Sequence, residues 1–221
     1  IDQGVMLSTS SMVALGAIFI ALGQPLVELI YERGAFNNDA VNVVSVLLMA
    51  YGLGMPAYLG RDLLVRVFYS QGDAVTPFRL SIIGIGLNIF FDWALVGGPT
   101  PWGPQSSLNF GAAGLVLATV IINTLSCVYL IYKLNNKIPG LPIKRWSLDT
   151  FKLIIAGLLT GSTAWIISNY INWPISKFGL SINIIFSIVI SLLAYSLVCY
   201  YMNISEFNKL IQIIPRKFFH R

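Results

Sequence analysis

Charge is what this sequence has least of. Only 10% of its residues are Asp, Glu, Lys or Arg, 56% are apolar, and mean hydropathy is +0.76. An ordinary soluble domain carries roughly a quarter charged residues. A water-soluble fold of 221 residues has too little polar side chain to cover so much apolar surface, so lipid is the solvent that the composition calls for. Histidine is nearly absent as well. His220 is the single one, beside the end of a basic stretch, which leaves no histidine for a Ser-His-Asp or Cys-His arrangement. The two cysteines, Cys127 and Cys199, sit inside apolar runs and form no CxxC or Cys/His cluster, so they read as small buried hydrophobes. Zinc-ligand spacing and a phosphate loop are also missing. These gaps weigh against an enzyme, with catalysis by carboxylates alone left open. The net charge of +5 comes without a Lys/Arg stripe interleaved with aromatics, so nucleic acid is not an expected partner. The first residues lack an initiator Met, a basic region and a small-residue cleavage site, so they are not a signal peptide, and the sequence reads as a piece of a longer protein.

What the sequence does have is apolar runs of membrane length. A spanning helix needs about 20 mostly apolar residues. The candidates are 5–23, 41–60, 80–97, 111–132, 153–171 and 182–202. The expected fold is all-α, a polytopic transmembrane helix bundle of about six spans. The second span is expected to continue as helix towards Phe68. Basic residues alternate between the connections. Arg61, Arg66 and Arg79 lie between spans two and three. Lys133, Lys137, Lys144, Arg145 and Lys152 lie between four and five. Lys209, Arg216, Lys217 and Arg221 follow span six. Only Arg33 and Lys177 fall on the other side. The positive-inside rule then places the rich side, and both termini, in the cytoplasm.

The outer connections differ in character. Residues 24–36 begin with Pro25, a good first helical residue, and place Leu26, Leu29 and Ile30 against Glu28, Glu32 and Arg33. This predicts a short interfacial helix. Residues 97–111 are rich in Gly and Pro and uncharged, so they read as a loop, with Trp102 as a headgroup anchor. Asn172, Trp173 and Pro174 begin another short outer turn. Residues 203–221 read as a cytoplasmic amphipathic basic tail, with Phe207, Leu210, Ile211, Ile213 and Ile214 among cations.

Polar residues within the spans are the candidates for chemistry. Asp92 follows Asn88 by four residues, which puts both on one helix face. An amide carbonyl and a carboxylate are hard oxygen ligands suited to a small cation. The plainer alternative is that Asp92 lies near the outer interface and pairs with a neighbouring helix. Arg61, Asp62 and Arg66 crowd the inner end of span two. They suit either an Asp62–Arg66 ion pair with snorkelling arginines, or a gate or phosphate contact. Gly52, Gly54, Pro56 and Gly60 fall within or at the end of span two. They predict either a kink in a moving helix or close packing through small residues.

The most specific stretch is RVFYSQGDAVTPFR, residues 66–79. It resembles the inner-loop signature of the MurJ (MviN) family: a Phe-Tyr-small run, then Gly-Asp, then Thr-Pro, joining two membrane helices. ERGAF (32–36) looks like that family's outer segment after the preceding span. FGAAGLVLAT (110–119) looks like its glycine-rich entry to the next helix but one. The three occur in order and at matching places among the spans.

The resemblance implies a flippase of the MOP transporter superfamily with about fourteen spans in two lobes. Such proteins move lipid II, the undecaprenyl-pyrophosphate-linked peptidoglycan precursor, across the bacterial cytoplasmic membrane from the inner to the outer leaflet. The six spans here would be the family's last six, and the partners would be lipid II, membrane lipids and the missing N-terminal lobe. By the same resemblance Asn88, Asp92 and Thr119, with a backbone ligand at Leu115, match part of a Na⁺ site. A further acidic ligand would come from a span that this chain lacks. The groove for the polyprenyl tail would lie on the last two helices, 153–171 and 182–202. The family's pyrophosphate-binding arginines lie on the first lobe and its junction, so Arg61 and Arg66 do not inherit that role. Alternatives are another MOP transporter (a polysaccharide-lipid flippase or a multidrug exporter), a membrane-embedded enzyme, and a scaffold packed without polar interior residues.

Overall fold

The computed structural model describes residues 2–32, 36–97, 109–171 and 176–204. They form six long α-helices: α1 (Asp2–Tyr31), α2 (Asn38–Ser70), α3 (Val75–Val96), α4 (Ala112–Lys137), α5 (Ile143–Tyr170) and α6 (Lys177–Tyr201). All six are long and apolar enough to cross a bilayer. With no water to satisfy the backbone in hydrocarbon, a helix that closes its own hydrogen bonds is the natural solution for each apolar run. The helices exceed the apolar runs. At 1.5 Å per residue the 33 residues of α2 reach about 50 Å, against a hydrocarbon core of about 30 Å.

One difference from the sequence-based expectation concerns proline. Residues 24–31 do not form a separate interfacial helix. Pro25 lies inside α1, which runs on to Tyr31. Pro56 likewise lies inside a continuous α2. Proline is tolerated within a membrane helix because neighbouring groups re-satisfy the freed carbonyl. Arg33, Trp102, residues 172–174 and all but the first two residues of the 203–221 tail fall outside the described residues.

The packing is built on small residues. α1 and α2 have the most extensive contact, with α5 on the other side of α1 and α4 on the other side of α2. A Cβ built on Gly16 would lie 2.3 Å from the Gly52 carbonyl oxygen, and one on Gly52 would lie 2.8 Å from that of Gly16. Only glycine at both positions lets these backbones meet. Gly60 packs against Cys127 Sγ in the same way. Close packing is therefore the use to which α2 puts these glycines. In lipid, where apolar surface gains nothing by leaving the solvent, such approach supplies the van der Waals contact that holds helices together. Buried polar pairs add to it. Tyr195 on α6 donates to the Ser10 carbonyl on α1 at 2.7 Å, and Asn183 on α6 donates to the Ser168 carbonyl of α5 at 3.3 Å.

The helix ends confirm an up-and-down threading. At one end Asp2 of α1 accepts from Trp146 Nε1 of α5 at 2.6 Å and from Arg145 at 3.4 Å. Lys152 donates to the Met202 carbonyl after α6 at 3.2 Å, and Asp73 between α2 and α3 pairs with Lys137 of α4. We call this the basic end. At the opposite end Lys177, which starts α6, donates to the Glu32 carbonyl that closes α1, at 3.0 Å. A cation on a helix C-terminus is the favourable arrangement.

Candidate functional site

α3 is the least buried of the six helices, and it packs almost wholly on α4. Their contact is fixed at both ends. At the far end Gly97 closes α3 in the left-handed conformation, and the Phe110 amide donates to the Leu95 carbonyl at 3.0 Å. Gly114 then sits so close that a Cβ there would fall 2.6 Å from the same oxygen. At the basic end, Asp73 accepts from the Thr76 amide at 2.9 Å, from its hydroxyl at 2.7 Å, and from Lys137 of α4. The Lys137 ammonium hydrogen bond, followed by the two Thr76 contacts, holds the Asp73 carboxyl well below the usual carboxylate range. Gly72, with φ +76°, makes the turn that presents it.

Between these clamps a groove of about 320 Å³ opens among α2, α3 and α4. Its α3 wall carries Ser81, Gly84 and Asn88, and its α4 wall carries Thr119, Asn123 and Ser126. Those spacings of three, four and seven put each set on one helix face. Arg61 enters from α2. Its Nη1 donates to Asn123 Oδ1 at 3.4 Å and its Nη2 to Ser81 Oγ at 3.0 Å. Asn123 Nδ2 donates onward to the Thr119 carbonyl at 2.8 Å. On α3, Asn88 Nδ2 donates to Asp92 Oδ2 at 2.9 Å. Thr119 Oγ1 donates to the Leu115 carbonyl at 3.0 Å.

Three atoms here are buried without a hydrogen-bond partner: Asn88 Oδ1, Asp92 Oδ1 and Arg61 Nε. Leaving a buried polar atom unpaired costs about 1–3 kcal/mol, more for a charged group, so each implies something that meets it. Two unpaired oxygens one helical turn apart, on an amide and a carboxylate, fit a small hard cation. Of the four residues matched to a cation site, the structure hydrogen-bonds Asn88 to Asp92 and Thr119 to Leu115, and places Asn88 and Thr119 on one groove. Among the described residues there is no group of three or more His, Cys, Asp or Glu side chains, so the donor set is not that of a transition-metal centre.

The inner-end trio divides. Arg61 does not snorkel to the surface but turns into the groove. Asp62 and Arg66 point outward and are exposed. Among the described residues they form no ion pair with each other, so the expected i,i+4 bridge is corrected. Two exposed side chains gain little from holding one geometry. Ser81 and Asn123 were missed from sequence. A signal existed: they stand seven residues before Asn88 and four after Thr119, on the same faces.

A second groove, of about 610 Å³, is apolar. Gly16, Ala17 and Ala21 of α1, Gly52 and Leu53 of α2, and Leu158 of α5 are among its lining. The last two helices were expected to wall the tail groove. Of these two, α5 forms one wall of the present groove, and α1 and α2 form the others. Gly157 and Gly161 seat α5 tightly on Val13 and Ala17 of α1, which leaves the hollow on the α2 side. The interior also contains Thr160, Asn183, Ser187 and Ser191 as buried polar residues. The scaffold alternative required their absence.

Six membrane-length apolar helices define a multi-pass α-helical membrane protein. A family model described as "Lipid II flippase MurJ" matches residues 1–186. The chain belongs to this family. It is 42% identical over 165 residues to a probable lipid II flippase MurJ of Synechocystis, a match covering 75% of this chain and 29% of that protein. It is 28% identical over 152 residues to the lipid II flippase MurJ of Thermosipho africanus, covering 67% of this chain and 28% of that one. A solved structure titled "Lipid II flippase MurJ, inward closed conformation" superposes with a TM-score of 0.64 at 25% identity, over 90% of this chain and 37% of that chain. The chain thus spans about a third of the length of the relatives that it matches.

Proposed function

We propose that this chain is the C-terminal part of a flippase that carries lipid II from the inner to the outer leaflet of the bacterial cytoplasmic membrane. The observation that carries the reading is the family match over residues 1–186. The apolar groove supports it. It lies open along three spans, has a volume of about 610 Å³, and among the described residues has no charged side chain in its lining. A polyprenyl tail is satisfied by apolar contact alone, whereas the pyrophosphate needs cations, which the missing N-terminal lobe would supply. Arg66, exposed at the basic end, remains a candidate phosphate contact there, with Asp62 beside it. In alternating access the lobes rock about a central site while the tail stays in lipid.

Asn88 and Asp92 would hold a Na⁺ through their unpaired oxygens, with Thr119 and the Leu115 carbonyl on the facing helix. The ion would supply a positive charge that neutralises Asp92 in the membrane. Depletion of the full-length protein tests the function: lipid II should accumulate in the inner leaflet and cells should lyse. Loss of a surface glycan or new drug sensitivity, with lipid II unaffected, would instead favour another MOP transporter. For the ion, Asp92→Asn in the full-length protein should abolish Na⁺ binding; unchanged binding and unchanged flipping would remove Asp92 from the site.

A further inference from the structure

Among the described residues, Arg61 is the one charged side chain that lines the groove of α2, α3 and α4. α2 and α3 otherwise scarcely touch. A single guanidinium therefore spans the gap, bonded to Ser81 on α3 and Asn123 on α4, with Nε left buried and unpaired. At the other end of the same groove Asn88 Oδ1 is an unpaired acceptor. Arg61, Ser81, Asn88, Thr119, Asn123 and Ser126 give the groove the polar partners that water needs. At roughly 30 Å³ per molecule, a space of this size holds about ten waters.

We infer that the groove among α2, α3 and α4 is a hydrated ion path from the basic end to Asn88 and Asp92, and that Arg61 is the charge filter at its mouth. The inference rests on the cation reading of Asn88 and Asp92 for what the filter acts upon. The filter itself rests on where Arg61 lies. Ser81 precedes Asn88 by seven residues, which is about 10 Å along the helix. A fixed positive charge at that distance repels a second cation through water and protein. It attracts an anion equally. A cation reaching Asn88 and Asp92 along this groove must therefore pass Arg61, and it does so more slowly while the guanidinium bridges Ser81 and Asn123. The bridge breaks when α3 moves relative to the closely packed α2–α4 pair, because one of its two hydrogen bonds ends on Ser81 of α3. Filter and lobe movement are thus coupled by the same two hydrogen bonds.

The test uses the full-length protein with Cys127→Ala, Cys199→Ala and Ile85→Cys. Ile85 lines the groove one turn from Ser81. Labelling rates are compared for an anionic and a cationic methanethiosulfonate of similar size. With Arg61 present the anionic reagent should react faster. Arg61→Gln should lower the anionic-to-cationic rate ratio about tenfold, and high salt should lower the wild-type ratio towards the variant's. Arg61→Lys keeps the charge and loses the forked bridge, so its ratio should stay near wild type. A ratio that Arg61→Gln leaves unchanged, or that Arg61→Lys lowers equally, overturns the filter. Na⁺ binding to the full-length protein is measured in parallel, with and without Asp92→Asn. If the ratio shifts but no Asp92-dependent binding exists, the cation reading fails and the filter stands. If binding is intact and the ratio does not move, the filter alone fails.

Discussion

Gly16→Ala is the smallest change that tests how the bundle is held together. The added methyl would sit 2.3 Å from the Gly52 carbonyl oxygen and 3.3 Å from its carbon. An ordinary carbon–oxygen contact lies at about 3.3–3.6 Å, so α1 and α2 must separate by roughly 1 Å. The obstacle is backbone on both sides, which cannot rotate away. Overpacking of this kind costs about 1–3 kcal/mol, and a gap of 0.5–1 Å forfeits about a quarter to a half of each dispersion contact along the seam. Against this, alanine gains about 1 kcal/mol over glycine in helix propensity. The net expectation is a loss of about 1–2 kcal/mol. Gly86→Ala is the control, because nothing lies within 4 Å of a Cβ there, so only the propensity gain applies. Unfolding of the full-length protein in graded detergent mixtures should rank Gly86→Ala at or above wild type and Gly16→Ala below it. If the two alanine variants are equally stable, glycine contact is not what joins α1 to α2.

Other side chains give independent tests. Tyr195→Phe removes the 2.7 Å bond to the Ser10 carbonyl and should cost about 0.6–1.7 kcal/mol in the same unfolding assay, the range for such bonds in membrane bundles. Trp146→Phe loses the donor to Asp2 and part of the buried ring, so at least about 1 kcal/mol should be lost, and a loss indistinguishable from zero would show that neither matters there. The Asp73 carboxyl is held below its ordinary value of 3.8, so its charged form contributes stability above that value, and the contribution fades as pH falls through the lowered one. Asp73→Asn should therefore lower the melting temperature between pH 5 and 8, with the difference closing only below about pH 4; a difference that grows on acidification would contradict this assignment.

The fold was legible because lipid imposes simple rules. Apolar runs of spanning length became helices, and the basic residues marked alternate connections well enough that Asp2, Asp73, Lys137 and Lys152 all met at one end. Helix ends were less legible. Pro25 looked like a start because proline is favoured at the first turn, yet α1 runs through it. Asn88 and Asp92 were found because i,i+4 spacing is local information. Of the two readings of Arg61, Asp62 and Arg66, the surface one with snorkelling arginines is not what Arg61 does. Its partners Ser81 and Asn123 are 20 and 62 residues away and become neighbours only once α3 and α4 have packed. The apolar groove among α1, α2 and α5 was not legible for a related reason. Gly16, Gly52, Gly157 and Gly161 shape it jointly, and their effect depends on which helices pair.

α3 is clamped to α4 near its first turn through Asp73 and Lys137, and near its last through Leu95 and Phe110. Between those points it packs on α4 and meets α2 chiefly through Arg61 and Ser81, and Asn88 and Asp92 sit in the span between clamps. Mechanically this is a beam held at both ends. Such a beam resists sliding along its length and yields by bowing. A push from a neighbouring element would reach the two side chains as a change in their distance from α4, with their register against Leu115 and Thr119 conserved. The cation site proposed for Asn88 and Asp92 would, mounted this way, alter its grip without losing its alignment.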